Sequence, residues 1–464
     1  MDPYLQFLQG KVARAERTGF DPPSPPHPSL FGHQRDICRW LAVGGRRACF
    51  ANFGLGKTRM NLQMAKWVTE VMDGKYLIVA PLGVRGEFTN HDGPAMGIDV
   101  AYARTDAEAF DSPCRTIITN YERVREGDVT PSKFSGAGLD EADCLRSFGS
   151  ATYQNFLRFF KNVKYKWVFT ATPSPNKAKE IIHYSGFLSL MDTGDCLTRF
   201  FQRDSQKAGN LTLMPHMKDA FYYWLSTWAA FLLYPSDLGY SDEGYRIPPF
   251  HMHWRRLEED YRKVWGDTDS WGQFQLMPGN AQGLKKAAAS KRNSIMLRVA
   301  EAMSILKPMM KPHGRLSDQV VIWADLNSEQ DAMEKALKKA KISFTSLRGS
   351  QGIDEREEMI QQWRERETDV FLSKTSMYGG GVNLQQSHTM IYVGINYKAR
   401  DFMQGIRREV RFMQKHEVDV YAIYLESEDG IKSTLETKIK NHDALTLHMS
   451  EMVKENKLLN LGTL

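Results

Sequence analysis

The sequence predicts an α/β protein of two successive parallel-sheet lobes with a helical region between them. Three observations carry this. At 464 residues the chain exceeds what one hydrophobic core usually serves. Short apolar runs in the first part, YLIVAP ending at Pro81, RTIITNY ending at Tyr121 and KWVFTATP ending at Pro173, are each followed by a loop and a helix-like segment. A second such series begins near Val320, with QVVIWADL, ISFTSL, DVFLS, TMIYVG and VDVYAIYL. Runs this short and this uniformly apolar suit strands buried on both faces, which is the parallel-sheet condition.

Taken in order, residues 1–28 form an N-terminal segment ending in the proline-rich DPPSPPHP, Asp21 to Pro28, which reads as a stiff connector. Residues 29–195 carry the first strand series and make the first lobe. Residues 196–300 form a helical, aromatic-rich insertion. Its FYYWLSTWAAFLLY stretch lacks strand alternation and reads as helical core, and its basic stretch from Lys285 to Arg298 reads as a solvated helix face. Residues 301–464 carry the second series and make the second lobe.

Composition narrows the class. Hydrophobic residues make up 42% and charged residues 25%, as in soluble globular proteins, and the formal net charge of +6 suits a polyanionic partner without establishing one. The five cysteines form no C-x-x-C pair, which argues against a disulfide framework or structural zinc and for a reducing cytoplasm. No apolar run reaches about eighteen residues, so no membrane role is expected. The start is too polar for a secretory signal.

The sharpest local pattern is Ala51-Asn52-Phe53-Gly54-Leu55-Gly56-Lys57-Thr58, between the apolar Ala48–Phe50 and the helical MNLQMAKWV. A loop that turns its N–H groups toward a polyphosphate needs glycines. It also needs a helix N-terminus aimed at the anion, a lysine for the terminal phosphates and a hydroxyl for Mg²⁺. Gly54, Gly56, Lys57 and Thr58 supply these, although Ala51 stands where the strict pattern has glycine. Asp140-Glu141-Ala142-Asp143 adds the carboxylates such a site requires, one for the metal and one for the attacking water.

With these residues in view, the chain resembles superfamily-two helicases and translocases of the Swi/Snf-related family, with motifs from Phe31 to about Gln414. Leu30-Phe31-Gly32-His33-Gln34 is similar to the segment whose glutamine reads adenine. Ala51 to Thr58 resembles the first motif, Ala80-Pro81-Leu82 motif Ia, and Thr119-Asn120-Tyr121-Glu122 the T-x-Y-E segment. Asp140 to Asp143 resembles motif II and Thr170-Ala171-Thr172-Pro173 motif III. Ser236-Asp237-Leu238-Gly239 resembles a segment of compact phage and bacterial members. Gly379 to Gln385 resembles motif V, and QGIRREVRFMQ, Gln404 to Gln414, resembles motif VI, with Arg408 and Arg411 on its arginine positions. Asn52, Arg407 and Met413 depart from the family pattern but leave the chemical groups in place.

The resemblance implies two tandem RecA-like lobes, ATP and Mg²⁺ as cofactors, and a nucleic-acid-stimulated ATPase that moves along DNA rather than RNA. It further implies a monomer acting in phage or bacterial replication, recombination or repair, with a nuclease or recombination partner. In that reading Gln34, Gly54, Leu55, Gly56, Lys57 and Thr58 bind the nucleotide, and Thr58 and Asp140 hold the metal. Glu141 positions water, Gln404, Arg408 and Arg411 come from the second lobe, and Pro81, Tyr121, Thr172, Gly381 and Asn383 contact nucleic acid or couple it to hydrolysis. An RNA-remodelling helicase and an ATP-switched clamp are the alternatives.

Overall fold

The computed structural model describes residues 14–146, 149–171, 173, 178–203, 211–245, 248–258, 294–378, 382–412 and 414–455. It forms two compact units, residues 1–245 with 441–464 and residues 246–440.

In the first unit the strands are β1 Arg46–Ala51, β2 Tyr76–Ala80, β3 Val100–Tyr102, β4 Thr116–Asn120, β5 Gly136–Asp140, β6 Tyr165–Phe169, a small β7 Phe201–Arg203 with β8 Leu211–Leu213, and β9 Ala229–Leu232. Its longer helices are α1 Gly32–Gly44, α2 Lys57–Val71 and α3 Lys218–Ser226. Seven strands form one sheet in the order β3-β4-β2-β5-β6-β1-β9, every pair parallel, while β7 and β8 pair antiparallel on their own. β2, β4, β5 and β6 are buried along their whole length, as their apolar runs predict. Trp67 and Trp167 are fully enclosed, and each large side chain so buried contributes about 1.5–3 kcal/mol.

The second unit contains β10 Phe250–Leu257, β11 Val320–Ala324, β12 Phe344–Ser346, β13 Val370–Lys374, β14 Thr389–Tyr392 and β15 Val418–Leu425. Its helices are α4 Ile295–Leu306, α5 Asn327–Lys339, α6 Ile353–Arg364 and α7 Ala399–Ile406, and α8 Asp429–Glu455 follows β15. The six strands form one parallel sheet in the order β10-β15-β14-β11-β13-β12. Two parallel sheets with helical crossovers are therefore the architecture, in line with two tandem RecA-like lobes.

Three expectations change. The stretch assigned to a helical insertion supplies an edge strand to each sheet. Ala229–Leu232 pairs with β1 after α3, and Phe250–Leu257 pairs with β15 over eight residues. Ala229–Leu232 follows directly on helical aromatic residues and, being fully buried, shows no alternation, whereas Phe250–Leu257 is a half-exposed edge strand whose polar and apolar residues do not alternate strictly. The basic stretch ends not in a solvated arginine but in a buried one. Arg298 of α4 is fully enclosed and ion-paired to Glu428 at 2.8 Å, with a further bond to the Ile423 carbonyl at 3.3 Å. Residues 285–293 of that stretch lie outside the described residues.

The proline-rich segment is docked rather than a spacer. Trp67 Nε1 donates to the Ser24 carbonyl at 2.9 Å, and the His27 amide donates to Gln63 Oε1 at 2.8 Å. Just before it, the Thr18, Gly19 and Phe20 amides donate to the carbonyls of Gly44, Val43 and Ala42. Carbonyls at a helix end have no partner within the helix, so this strap satisfies the end of α1.

Candidate functional site

β1, β6 and β5 lie side by side in the first sheet, and the motif residues follow their C-terminal ends, where α/β sheets bind ligands. After β1, Gly54 and Gly56 take positive φ values of 81° and 80°. A left-handed turn at Gly56 starts α2, and a Cβ there would lie 2.2 Å from Gln34 Nε2. Glycine is thus required at this position for conformation and for space. The Lys57 ammonium is held at the loop, donating to the Ala51 and Asn52 carbonyls at 3.0 and 3.3 Å. Asn52 Oδ1 accepts from the Phe53 amide at 2.8 Å and so shapes the same loop.

Gln34 bridges two elements. Its Oε1 accepts from the Phe31 amide at 2.9 Å and its Nε2 donates to the Leu55 carbonyl at 3.1 Å. The start of α1 is therefore tied to the Ala51–Thr58 loop through one amide side chain. Phe31, half exposed, stands beside Tyr245 at 6.0 Å between ring centroids.

Asp140 ends β5 and is buried, and Glu141 follows with φ 48°. A left-handed glutamate costs energy, and strain of this sort concentrates at functional positions. Thr170, at the end of β6, donates to Glu141 Oε2 at 3.1 Å. This contact fixes the carboxylate that the sequence assigns to water. Thr172, to which the resemblance assigns the motif III role, lies outside the described residues, and the T-A-T-P string directly after an apolar strand is the signal in the sequence for Thr170. Tyr121 Oη donates to the Asp140 carbonyl at 2.7 Å and stacks on Phe156, so it supports the end of β5 from within the unit. Pro81 follows β2 and opens a turn over Leu82–Val84. The Asp143 side chain is outside the described residues.

Thr58 and Asp140 offer one hydroxyl and one carboxylate, hard oxygen donors that suit Mg²⁺ when phosphate and water oxygens complete the shell. Among the described residues no group of three or more His, Cys, Asp or Glu forms a cage that would hold an ion unaided. All five cysteines are free thiols.

In the second unit, α7 ends at Ile406 and the chain turns through Arg407 to Arg411. Arg408 is nearly enclosed, its Nε donating to the Gln404 carbonyl at 3.2 Å, while Arg411 is half-buried. Two contacts tie this turn to the segment after β13. The Leu384 amide donates to the Arg408 carbonyl at 3.2 Å, and Gln414 Nε2 donates to the Ser387 carbonyl at 3.0 Å. Asn383 Oδ1 accepts from the Gln385 amide in a local turn. Gly381 and Met413 lie outside the described residues.

Two groups of this turn are unsatisfied among the described residues, Gln404 Nε2 and both oxygens of Glu409. Glu409 is fully buried, and burial raises its carboxyl to about 8. The Ser387 hydroxyl opposes part of that shift, but its hydrogen bonds go to the Gln319 and Thr389 carbonyls. The pattern of polar residues gave no sign that Glu409, flanked by arginines, would face the core.

Residues 301–413 match the family model described as helicase conserved C-terminal domain. Among curated proteins, the chain is 28% identical over 155 residues to the ATP-dependent helicase fft2 of Schizosaccharomyces pombe, covering 33% of this chain and 12% of that protein. It is 26% identical over 142 residues to the chromatin-remodeling ATPase INO80 of Vanderwaltozyma polyspora, covering 30% of this chain and 9% of that protein. A longer match, 21% identical over 436 residues, joins it to the ISWI chromatin-remodeling complex ATPase ISW2 of Saccharomyces cerevisiae, covering 86% of this chain and 38% of that protein. The chain is thus similar to Swi/Snf-type helicases and remodelling ATPases, and it spans about a tenth of the length of the first two. Among the described residues no helix is long and apolar enough to cross a membrane.

Proposed function

We propose that this protein is a nucleic-acid-stimulated ATPase that translocates on DNA, in the service of replication, recombination or repair. The observation that carries the reading is the convergence, at one end of one sheet, of a glycine-shaped phosphate loop, the Asp140–Glu141 pair and the Thr170 contact that orients Glu141. Phosphoryl transfer needs little covalent chemistry from a protein, so positioning and charge compensation do most of the work.

In this proposal the Lys57 ammonium exchanges its carbonyl partners for the β- and γ-phosphate oxygens of ATP. The loop amides from Gly54 to Thr58 and the N-terminus of α2 hold the rest of the polyphosphate. Thr58 and Asp140 hold Mg²⁺, which offsets phosphate charge when bound. Glu141, steadied by Thr170, orients the attacking water and takes up its proton. Arg408 and Arg411 bring permanent charge to the γ-phosphoryl during turnover, and Gln404 supports them. Pro81, Tyr121 and Asn383 belong to the segments that convey DNA contact to this chemistry, with binding made mainly to phosphates.

ATP turnover of the full chain, measured with duplex DNA, single strands, forks and RNA, tests the reading. Duplex DNA is expected to give the largest stimulation, and Lys57→Ala to abolish it with the fold retained. Equal turnover in Lys57→Ala would overturn the site. Stimulation by RNA alone would overturn the DNA assignment. Failure to displace a triplex strand despite stimulated hydrolysis would replace the motor by a clamp.

A further inference from the structure

One ion pair in the first unit has no part in the phosphate chemistry, yet it touches the helix on which that chemistry depends. Arg59 follows Thr58 in the first turn of α2, and its Nε meets Asp92 Oδ1 at 2.9 Å. Asp92 is the last residue of a π-helix, Glu87–Asp92, which lies twelve sequence positions or fewer beyond Ala80 and the Pro81 turn. Wide helical turns of this kind are rare and frequent at functional positions, because moving a single residue in or out of the turn rotates every side chain around it.

The segment from Arg85 to Asp92 is held at both ends. Arg85 lies over the Tyr102 ring of β3 at 5.2 Å, and Asp92 is held by Arg59. Between them Phe88 is fully buried and anchors the segment to the core. The Arg59–Asp92 pair is partly exposed on both sides, so it adds little to stability. A bridge of small stabilising value that joins the phosphate-loop helix to a π-helix is better explained by position than by strength.

We propose that Arg59 and Asp92 are a coupling pair. They hold the π-helix after Pro81 in register with the first turn of α2, so that DNA contact at the Pro81 segment is felt at the phosphate loop. The inference rests on the ATPase reading above and adds to it the physical link for nucleic-acid stimulation. Neither residue touches nucleotide; both are positioning residues.

The experiment measures ATP turnover of the full chain without DNA and across a duplex DNA titration, alongside DNA affinity by fluorescence anisotropy without nucleotide. Asp92→Asn and Arg59→Gln are each expected to lower maximal stimulation about tenfold, within the range by which linking residues alter coupling. DNA-free turnover of Asp92→Asn and the DNA affinity of both variants should remain within about threefold of the parent. The double variant should lose no more than either single one, since the two residues act as one unit, and Asp92→Glu should recover most of the stimulation. Full stimulation in both single variants, losses that multiply in the double variant, or a fall in DNA affinity that accounts for the whole effect would each overturn the pair's role. If the parent chain hydrolyses ATP but no nucleic acid stimulates it, the function proposed above falls first, and this coupling with it.

Discussion

The phosphate end of the first unit and the arginine turn of the second treat their polar groups in opposite ways. In the first, the demanding groups have partners: the Lys57 ammonium rests on two carbonyls, Gln34 is bonded at both ends of its amide, and Glu141 accepts from Thr170. The cost there is conformational, in the positive φ of Glu141. In the second, the backbone is ordinary, and the cost is carried by the enclosed Glu409 carboxyl and the Gln404 Nε2, neither hydrogen-bonded among the described residues. A strained backbone and enclosed polar groups without partners are two different ways in which a folded chain carries energetic cost.

The largest effect that would test this contrast is on the second unit. Arg411→Ala should lower turnover of bound ATP about a thousandfold, ~4 kcal/mol of transition-state stabilisation, with nucleotide affinity little changed. Single-turnover kinetics with separately measured ATP binding would show it. Loss of affinity with normal turnover would place Arg411 in the cradle and erase the contrast.

Next is the enclosed carboxyl. Glu409 in the folded chain is raised to about 8 from the ordinary 4.5, so the folded state holds its proton where the unfolded state has lost it. Its contribution to stability is complete below about pH 4.5 and is lost as pH climbs through 8. Thermal unfolding of the parent and Glu409→Gln at pH 5 and pH 8 should show the parent losing more between the two. Identical pH dependence would mean Glu409 has a charged partner that relieves it. The paired counterpart, Arg298 with Glu428, is enclosed to the same degree yet compensated.

Glu141→Gln should reduce hydrolysis about a hundredfold, ~2.7 kcal/mol, by removing the proton acceptor while keeping the Thr170 contact. Trapping of bound ATP by this variant, read by filter binding, would sharpen the assignment, and unchanged turnover would remove Glu141 from the chemistry. The smallest effect is conformational. Gly56→Ala should destabilise the first unit by about 1–2 kcal/mol, since alanine at φ 80° is strained and its Cβ would press on Gln34. An unchanged melting temperature would show that the loop has a second accessible shape.

Local pattern alone determined much of this protein. Runs such as YLIVA and VVIWA become buried parallel strands because a chain with no polar face can only lie where both faces are covered. The glycine turn ahead of α2 was legible because a turn of this kind is a property of consecutive residues. Gln404 lies in α7, and Arg408 and Arg411 in the turn that follows it. Tertiary structure alone decided that Ala229–Leu232 closes one sheet edge and Phe250–Leu257 the other, that the prolines dock on α2, and that Arg59 meets Asp92. It also decided that Arg298 is ion-paired in the core while the enclosed Glu409 has no ion pair among the described residues. Periodicity reports which face of an element is apolar. Strand order, and whether a buried charge finds a partner, depend on residues far apart in the chain, and no local pattern records those contacts.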